Sequence, residues 1–261
     1  MDDDDQILAL EGRIAELENA LGELRGNTET PAIDTGIDPA FYRLLEDRFR
    51  GSREQVAEKV QPYVAEIRGY RDALAEDVRD AFIVADLGCG RGEVLSALSE
   101  AGIQAFGVDE NPDQARDAVA AGLRVEITDI LGFLTTQDDQ SIDVIVSLHV
   151  IEHFDFARQA ALLAGAARVL KAGGALILET PNPENLRVGA WKFHIDPTHL
   201  KPLPPELLTL MVEHAGFTEI RVARLHPERE LDQITAEGKL PRHAALMLYG
   251  PRDYAVLARK P

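Results

Sequence analysis

The run Asp86-Leu87-Gly88-Cys89-Gly90-Arg91-Gly92 decides how this chain folds. An apolar stretch, residues 82–87, leads into it, and a helical stretch, residues 92–101, leads out of it. Glycines at every second position let the chain turn tightly, and they bare N–H groups at the carboxyl end of a strand, where open α/β sheets bind ligands. The dinucleotide fingerprint needs its third glycine one place later, and Glu93 stands there. A dehydrogenase therefore lacks its own motif here.

Outward from the turn the chain alternates strands and helices. Strand-like runs at 105–109, 124–129, 142–148 and 175–179 are separated by helical ones at 112–121, opened by Asn111, and at 156–170, closed by Lys171-Ala172-Gly173-Gly174. A helix at 204–215 ends at Gly216, and strands at 218–225 and 254–259 follow. This predicts an α/β chain with a Rossmann-like, doubly wound, mostly parallel seven-stranded sheet and helices on both faces. The last two strands lack an obvious crossover of the earlier length, so an antiparallel edge pair is expected.

Ahead of the sheet, Tyr42, Leu44, Leu45, Phe49, Val56, Val60, Val64 and Ile67 recur at helical intervals, with breaks expected near Gly51-Ser52 and Pro62. Further upstream, Ile7, Leu10, Ile14, Leu17, Leu21 and Leu24 form an a/d stripe. Gly26-Asn27 ends that helix, and a linker runs to Pro39. The expected organisation is a coiled-coil-like helix and linker (1–39), a helical cover (40–80) and the main domain (81–261). The stripe needs a partner: a second copy, giving a homodimer, or else this chain's own body or another protein.

Composition narrows the function. The 261 residues carry a formal net charge of −18, which argues against a nucleic-acid partner, since phosphate backbones are bound through Lys and Arg. It leaves room for a locally basic pocket. No apolar run approaches bilayer length, so no stable membrane insertion is expected. The Met-Asp-Asp-Asp-Asp start is the reverse of a signal peptide, which gives a cytoplasmic expectation. The single cysteine, Cys89, rules out an internal disulfide and a Cys-rich zinc site.

Two acids follow the turn at the next strand ends. Asp109 lies where an acid accepts from ribose hydroxyls, and Asp129 where one meets an adenine amino group. An acid, alternating glycines and then these two acids resemble the class I S-adenosylmethionine-dependent methyltransferases, from about residue 82 to the end. The resemblance implies S-adenosylmethionine as cofactor. Asp86, Gly88, Cys89 and Gly90 would hold its methionine part, Asp109 its ribose, and Asp129 with Ile130 its adenine. Leu148 would border it at the strand end facing the transferred methyl.

His149-Val150-Ile151-Glu152-His153 follows the fourth strand, and His194-Ile195-Asp196-Pro197-Thr198-His199 comes later on the same sheet edge. A helical turn would put His149, Glu152 and His153 on one face. Imidazoles with a carboxylate suit a divalent metal with open positions. An alcohol is a poor nucleophile while protonated. A metal lowers its pKa and a histidine can take its proton, so the cluster points to a hydroxyl acceptor. His149 and His194 are the candidate bases, with Asp196 as a third catalytic candidate. The pattern is similar to metal-assisted O-methyltransferases of ubiquinone biosynthesis and of small-RNA 3′ ends, which carry Glu-x-x-Glu-His here. That resemblance implies a divalent metal, Mg²⁺, on Glu152, His153, His199 and His149, with His149 standing where the first Glu would be.

The runs 41–53 and 179–185, with Asp196-Pro197-Thr198-His199 and 202–206, resemble bacterial polysaccharide and O-antigen methyltransferases, of the mycobacterial methylmannose-polysaccharide 1-O-methyltransferase type. This implies a sugar or oligosaccharide acceptor. Trp191 and Phe193 would stack on it or pack the loop, and Asn182, Asn185 and Lys192 would bond its hydroxyls. Arg48, Arg50 and Arg53 would reach the cofactor carboxylate or pair with the chain's acids. The alternatives are a phenolic or quinone-precursor acceptor, and a non-catalytic, cofactor-binding assembly protein.

Overall fold

The computed structural model describes residues 37–261, so the expected coiled-coil-like helix and its dimer contact lie outside the described residues. Asp38–Pro261 form one compact unit. Its sheet has seven strands: β1 (Ile83–Leu87), β2 (Gln104–Asp109), β3 (Val125–Ile127), β4 (Ile142–Leu148), β5 (Leu170–Pro181), β6 (Thr218–Pro227) and β7 (Pro251–Arg259). Their order is β3-β2-β1-β4-β5-β7-β6. The pairs from β3 through β5 are parallel, and β7 runs antiparallel to both β5 and β6. The sheet is thus mixed, because β7 inserts between β5 and the edge strand β6 and carries the antiparallel geometry one strand further in than an edge pair would.

Ten helices cover the described sheet: α1 (Pro39–Phe49), α2 (Arg53–Asp72), α3 (Glu93–Glu100), α4 (Pro112–Ala120), α5 (Ile130–Thr136), α6 (Phe156–Val169), α7 (Leu186–Ala190), α8 (Pro205–His214), α9 (Leu231–Ala236) and α10 (Arg242–Tyr249). Ser52 and Gln55 close a reciprocal capping box that starts α2 where the break was expected. Pro62 does not break α2. It lies on the exposed side, where water can satisfy the carbonyl it leaves free. The opposite side buries Val60, Tyr63, Val64 and Ile67 against Val84, Val144, Val146, Ile177 and Leu257. On the other face, Ala85, Leu87, Ile145 and Leu178 pack with Phe133, Leu162, Leu163 and Tyr254. One strand therefore feeds two cores, as a period of two requires, and the central strands are apolar throughout.

Two local expectations change. Residues 171–174 are no simple turn, since Leu170 already pairs with Ile142 and the ladder then shifts register. Residues between β6 and β7 form α9 and α10, short helices of six and eight residues where no obvious crossover was expected. Among the described residues no helix is long and apolar enough to cross a membrane.

Candidate active site

The carboxyl ends of β1, β2, β4, β5 and β6 and the start of β7 share one edge of the sheet, and the candidate residues gather there. At β1 the glycine turn folds as its composition demands. Gly88 has φ +81°, and a Cβ there would come within 2.2 Å of Val150 Cγ2. Gly88 and Cys89 both donate N–H to the Val108 carbonyl, at 2.8 and 3.1 Å. Gly90 donates to Asp109 Oδ2 at 2.8 Å, and Asn111 N–H donates to Asp109 Oδ1 at 2.9 Å. Asp109 therefore staples the turn to the end of β2, with each carboxylate oxygen keeping lone-pair capacity beyond its one backbone contact. The Cys89 side chain points inward against Gly107, and burial pushes its thiol pKa up. Its backbone, not its thiol, belongs to the turn.

Asp86 is buried, and among the described residues its Oδ2 has no hydrogen-bond partner. Burial raises its pKa to about 7; the Arg50 charge opposes this, while Asp109 and Glu93 add to it. The Arg50 guanidinium packs on Gly90, where a Cβ would meet Nη1 at 2.7 Å. Asp129 caps α5 through Gly132 N–H at 2.7 Å and pairs with Arg158 at 2.7 Å, so both its oxygens are engaged. Ile130 is buried in the core, and Leu148, partly buried, ends β4.

The histidine and glutamate residues divide into two joined groups. Ligand atoms of Glu152, His153 and His199 lie within 4.8 Å of one another. Glu152 sits on the tight helical turn Ile151–His153, fully buried. Its Oε2 accepts from Thr180 Oγ1 at 3.0 Å, and among the described residues its Oε1 makes no hydrogen bond, with His149 Nδ1 at 3.4 Å. His199 Nδ1 donates to the Phe193 carbonyl at 2.7 Å. Thr198 Oγ1 donates to Asp196 Oδ1 at 2.6 Å, so it accepts from His153 Nδ1 at 2.7 Å. Both rings thus use Nδ1 as donor, and His199 Nε2 lies 3.9 Å from both Glu152 Oε1 and Asp196 Oδ2. Burial, ahead of the opposing pull of Glu152, depresses the His153 pKa.

His149 turns away from that trio. It has φ +58°, and its ring, 42% exposed, lies with Nε2 3.0 Å from Glu179 Oε1 and Nδ1 3.4 Å from Glu152 Oε1. Burial works against its charge, but the Glu152 and Glu179 contacts outweigh it and raise its pKa well above the usual imidazole value. It groups with Glu179 and Asp253 rather than with His153 and His199. His194 stays exposed, its ring edge-on to Phe193, outside both groups. Asp196 holds Thr198 and accepts from Tyr42 OH at 3.2 Å, which ties α1 to the loop. The buried Asn182 and Asn185 amides donate to the Pro251 and Gly250 carbonyls, and Phe193 is buried against His199. None of these three is open to a sugar, which overturns that expectation. Trp191 stands 60% exposed beside them.

Sequence reasoning did not single out Glu179, Tyr63, His226 or Asp253 as site residues. Glu179 ends the pairing of β5 with β4 and accepts from Tyr63 OH of α2, and His226 Nε2 faces it at 3.8 Å. The signal was there for Glu179 alone, as an acid closing an apolar strand.

The family profile described as Methyltransferase domain matches residues 52–222. This chain belongs to that family. A crystal structure of an S-adenosylmethionine-dependent methyltransferase from Archaeoglobus fulgidus is 31% identical, with a TM-score of 0.72, covering 84% of this methyltransferase-domain chain and 100% of that one. A probable S-adenosylmethionine-dependent methyltransferase of Mycobacterium tuberculosis is 30% identical over 156 residues, 59% of this chain and 56% of that protein. A ubiquinone biosynthesis O-methyltransferase of Idiomarina loihiensis is 33% identical over 104 residues, 38% of this chain and 42% of that protein. The methyltransferase-domain chain spans about half the length of these curated relatives. The family implies S-adenosylmethionine, and the turn fits it: Asp86 Oδ2 is a buried acceptor without a hydrogen-bond donor among the described residues, at the strand end beside the glycine turn.

Proposed function

We propose that this chain is an S-adenosylmethionine-dependent methyltransferase acting on a hydroxyl oxygen, with a divalent cation held by Glu152, His153 and His199. One observation carries the oxygen chemistry. Glu152 is fully buried, its Oε1 makes no hydrogen bond among the described residues and has His149 Nδ1 at 3.4 Å, and the imidazoles of His153 and His199, held through Nδ1 by Thr198 and the Phe193 carbonyl, bring their ligand atoms within 4.8 Å of its own. The bound cation supplies Lewis-acid polarisation of an acceptor hydroxyl. Asp86 and the turn around Gly88 and Gly90 hold the amino-acid part of S-adenosylmethionine. His149, clamped by two carboxylates, orients Glu152 and Glu179. Trp191 offers an exposed face to a sugar ring, and a sugar or oligosaccharide hydroxyl is the preferred acceptor. A phenolic acceptor is the second reading, favoured by the likeness to the ubiquinone biosynthesis enzyme.

The test is transfer of label from radiolabelled S-adenosylmethionine to panels of sugars and of catechols, with EDTA and then with Mg²⁺ or Mn²⁺ restored. Metal-dependent label on a sugar is expected. Transfer indifferent to EDTA would remove the cation from the reading, and failure to bind S-adenosylmethionine would remove the activity.

A further inference from the structure

Positive charge gathers just beyond the site in a chain whose formal net charge is −18. Glu228, the first residue after β6, faces three cations: Lys192 Nζ at 2.7 Å, Arg187 Nη1 at 3.6 Å and Arg252 Nη1 at 3.9 Å. These side chains are only 31%, 34% and 34% exposed, so they are held by the fold rather than waving in solvent. Burial would raise the Glu228 pKa, but the Lys192 hydrogen bond and the three positive charges hold it below its usual value, so the carboxylate stays ionised. One carboxylate against three cations leaves an excess of two positive charges. The nearby acid Glu184 does not cancel it, since both its oxygens pair with Arg224.

The donors are also under-used. Among the described residues the Lys192 ammonium makes one hydrogen bond, to Glu228. Arg252 donates Nε to the His226 carbonyl, and among the described residues neither of its Nη groups has a hydrogen-bond acceptor. The Arg187 guanidinium lies 5.4 Å from the Tyr249 ring centroid, which fixes its plane without taking its N–H groups.

The patch borders the site along two paths. Arg252 precedes Asp253, which groups with His149 and Glu179, and it holds the backbone of His226, whose ring faces Glu179. Lys192 precedes Phe193, whose carbonyl fixes His199.

We propose that Arg187, Lys192 and Arg252 form an anion subsite that receives a phosphoryl group carried by the acceptor. The acceptor is then a phosphorylated hydroxyl compound, and this rests on the methyltransferase reading above. A phosphomonoester dianion matches the excess of two charges, and guanidinium forks match phosphate oxygens. A neutral sugar would leave those charges and donors without a counterpart.

Inorganic phosphate titrated calorimetrically into the full chain at low salt tests this. Saturable binding is expected, about tenfold weaker in Arg187→Gln/Lys192→Gln, equivalent to ~1.4 kcal/mol. It should be tighter in Glu228→Gln, which removes the competing carboxylate, and an opposite-sign pair of effects cannot come from a folding defect. No saturable binding by the unaltered chain, or equal affinity in the double variant, overturns the subsite. Replacing inorganic phosphate by glycerol phosphate or by vesicles containing phosphatidic acid, a lipid phosphomonoester, assigns the group to a soluble ester or to a lipid-linked one. S-adenosylmethionine binding, read on the same samples, judges the methyltransferase reading separately.

Discussion

Asp86 carries a sharp pH prediction. Its folded-state pKa is pushed to about 7, far above an ordinary aspartate. A carboxyl that keeps its proton longer in the fold than in the unfolded chain stabilises the fold at low pH, and that contribution is lost as pH rises toward 7. The ligand reverses the preference, because the ammonium and sulfonium of S-adenosylmethionine favour the ionised carboxylate. Affinity for S-adenosylmethionine should therefore climb as pH rises through about 7, and calorimetry one unit either side of that value reads it. Asp86→Asn should bind more weakly and without the climb; a flat profile in the unaltered protein would show that Asp86 does not meet the cofactor's charge. Glu152 makes a second residue-scale case. Glu152→Gln keeps the shape but replaces an anionic ligand by a neutral amide, so Mg²⁺ or Mn²⁺ affinity should fall by about tenfold or more, by the magnitude expected for losing part of a metal's shell. S-adenosylmethionine binding should not change. Unaltered metal affinity in this variant would place the ion elsewhere.

At the scale of elements, the turn after β1 was legible because its chemistry is local: three glycines and two flanking acids permit one geometry. Gly88→Ala should cost about 1–3 kcal/mol for a side chain at positive φ, plus the clash with Val150. Gly102 also has positive φ, but a Cβ there meets nothing within 4 Å, so Gly102→Ala isolates the backbone cost. Only Gly88→Ala should also weaken S-adenosylmethionine binding, as measured in parallel by denaturation and calorimetry; equal behaviour of the two variants would detach the turn from the ligand. The β/α alternation was legible for the same reason, since apolar runs of strand length stand out between helical periods. Other features depend on tertiary pairing that no single stretch encodes. The insertion of β7 beside β5 follows from pairing across the sheet, and Pro62 is tolerated only because its side of α2 faces water. His149 sat in a recognisable His-x-x-Glu-His run, yet its direction was set by Glu179, 30 residues away. Asn182 and Asn185 looked like hydroxyl binders until the Pro251 and Gly250 carbonyls appeared opposite them.

At the scale of the whole molecule, α2 is as much part of the core as any strand. Ile67 is fully buried with Val60 and Val64 against residues of β1, β4, β5 and β7, and Tyr63 on the same helix reaches Glu179 at the site. One hydrophobic face therefore holds the cover helix, the sheet centre and a site carboxylate together, and such a unit is expected to unfold in one transition. Ile67→Ala removes three methyl or methylene groups from a site with no solvent access, which costs about 2–5 kcal/mol. The single tryptophan, Trp191, reports from the far part of the chain, in the loop that carries His194 and His199. If the unit is cooperative, denaturant unfolding followed by Trp191 emission should move to lower midpoint in Ile67→Ala by that full amount, although the two residues are distant in sequence. Tyr63→Phe, on the neighbouring turn of the same helix, should shift the midpoint far less, since it leaves the ring buried and removes only the hydroxyl that serves Glu179. A Trp191 transition that ignores Ile67→Ala would mean that α2 can detach while the site loop stays folded, and the cover helix would then be an appendage to the catalytic sheet rather than one wall of its core.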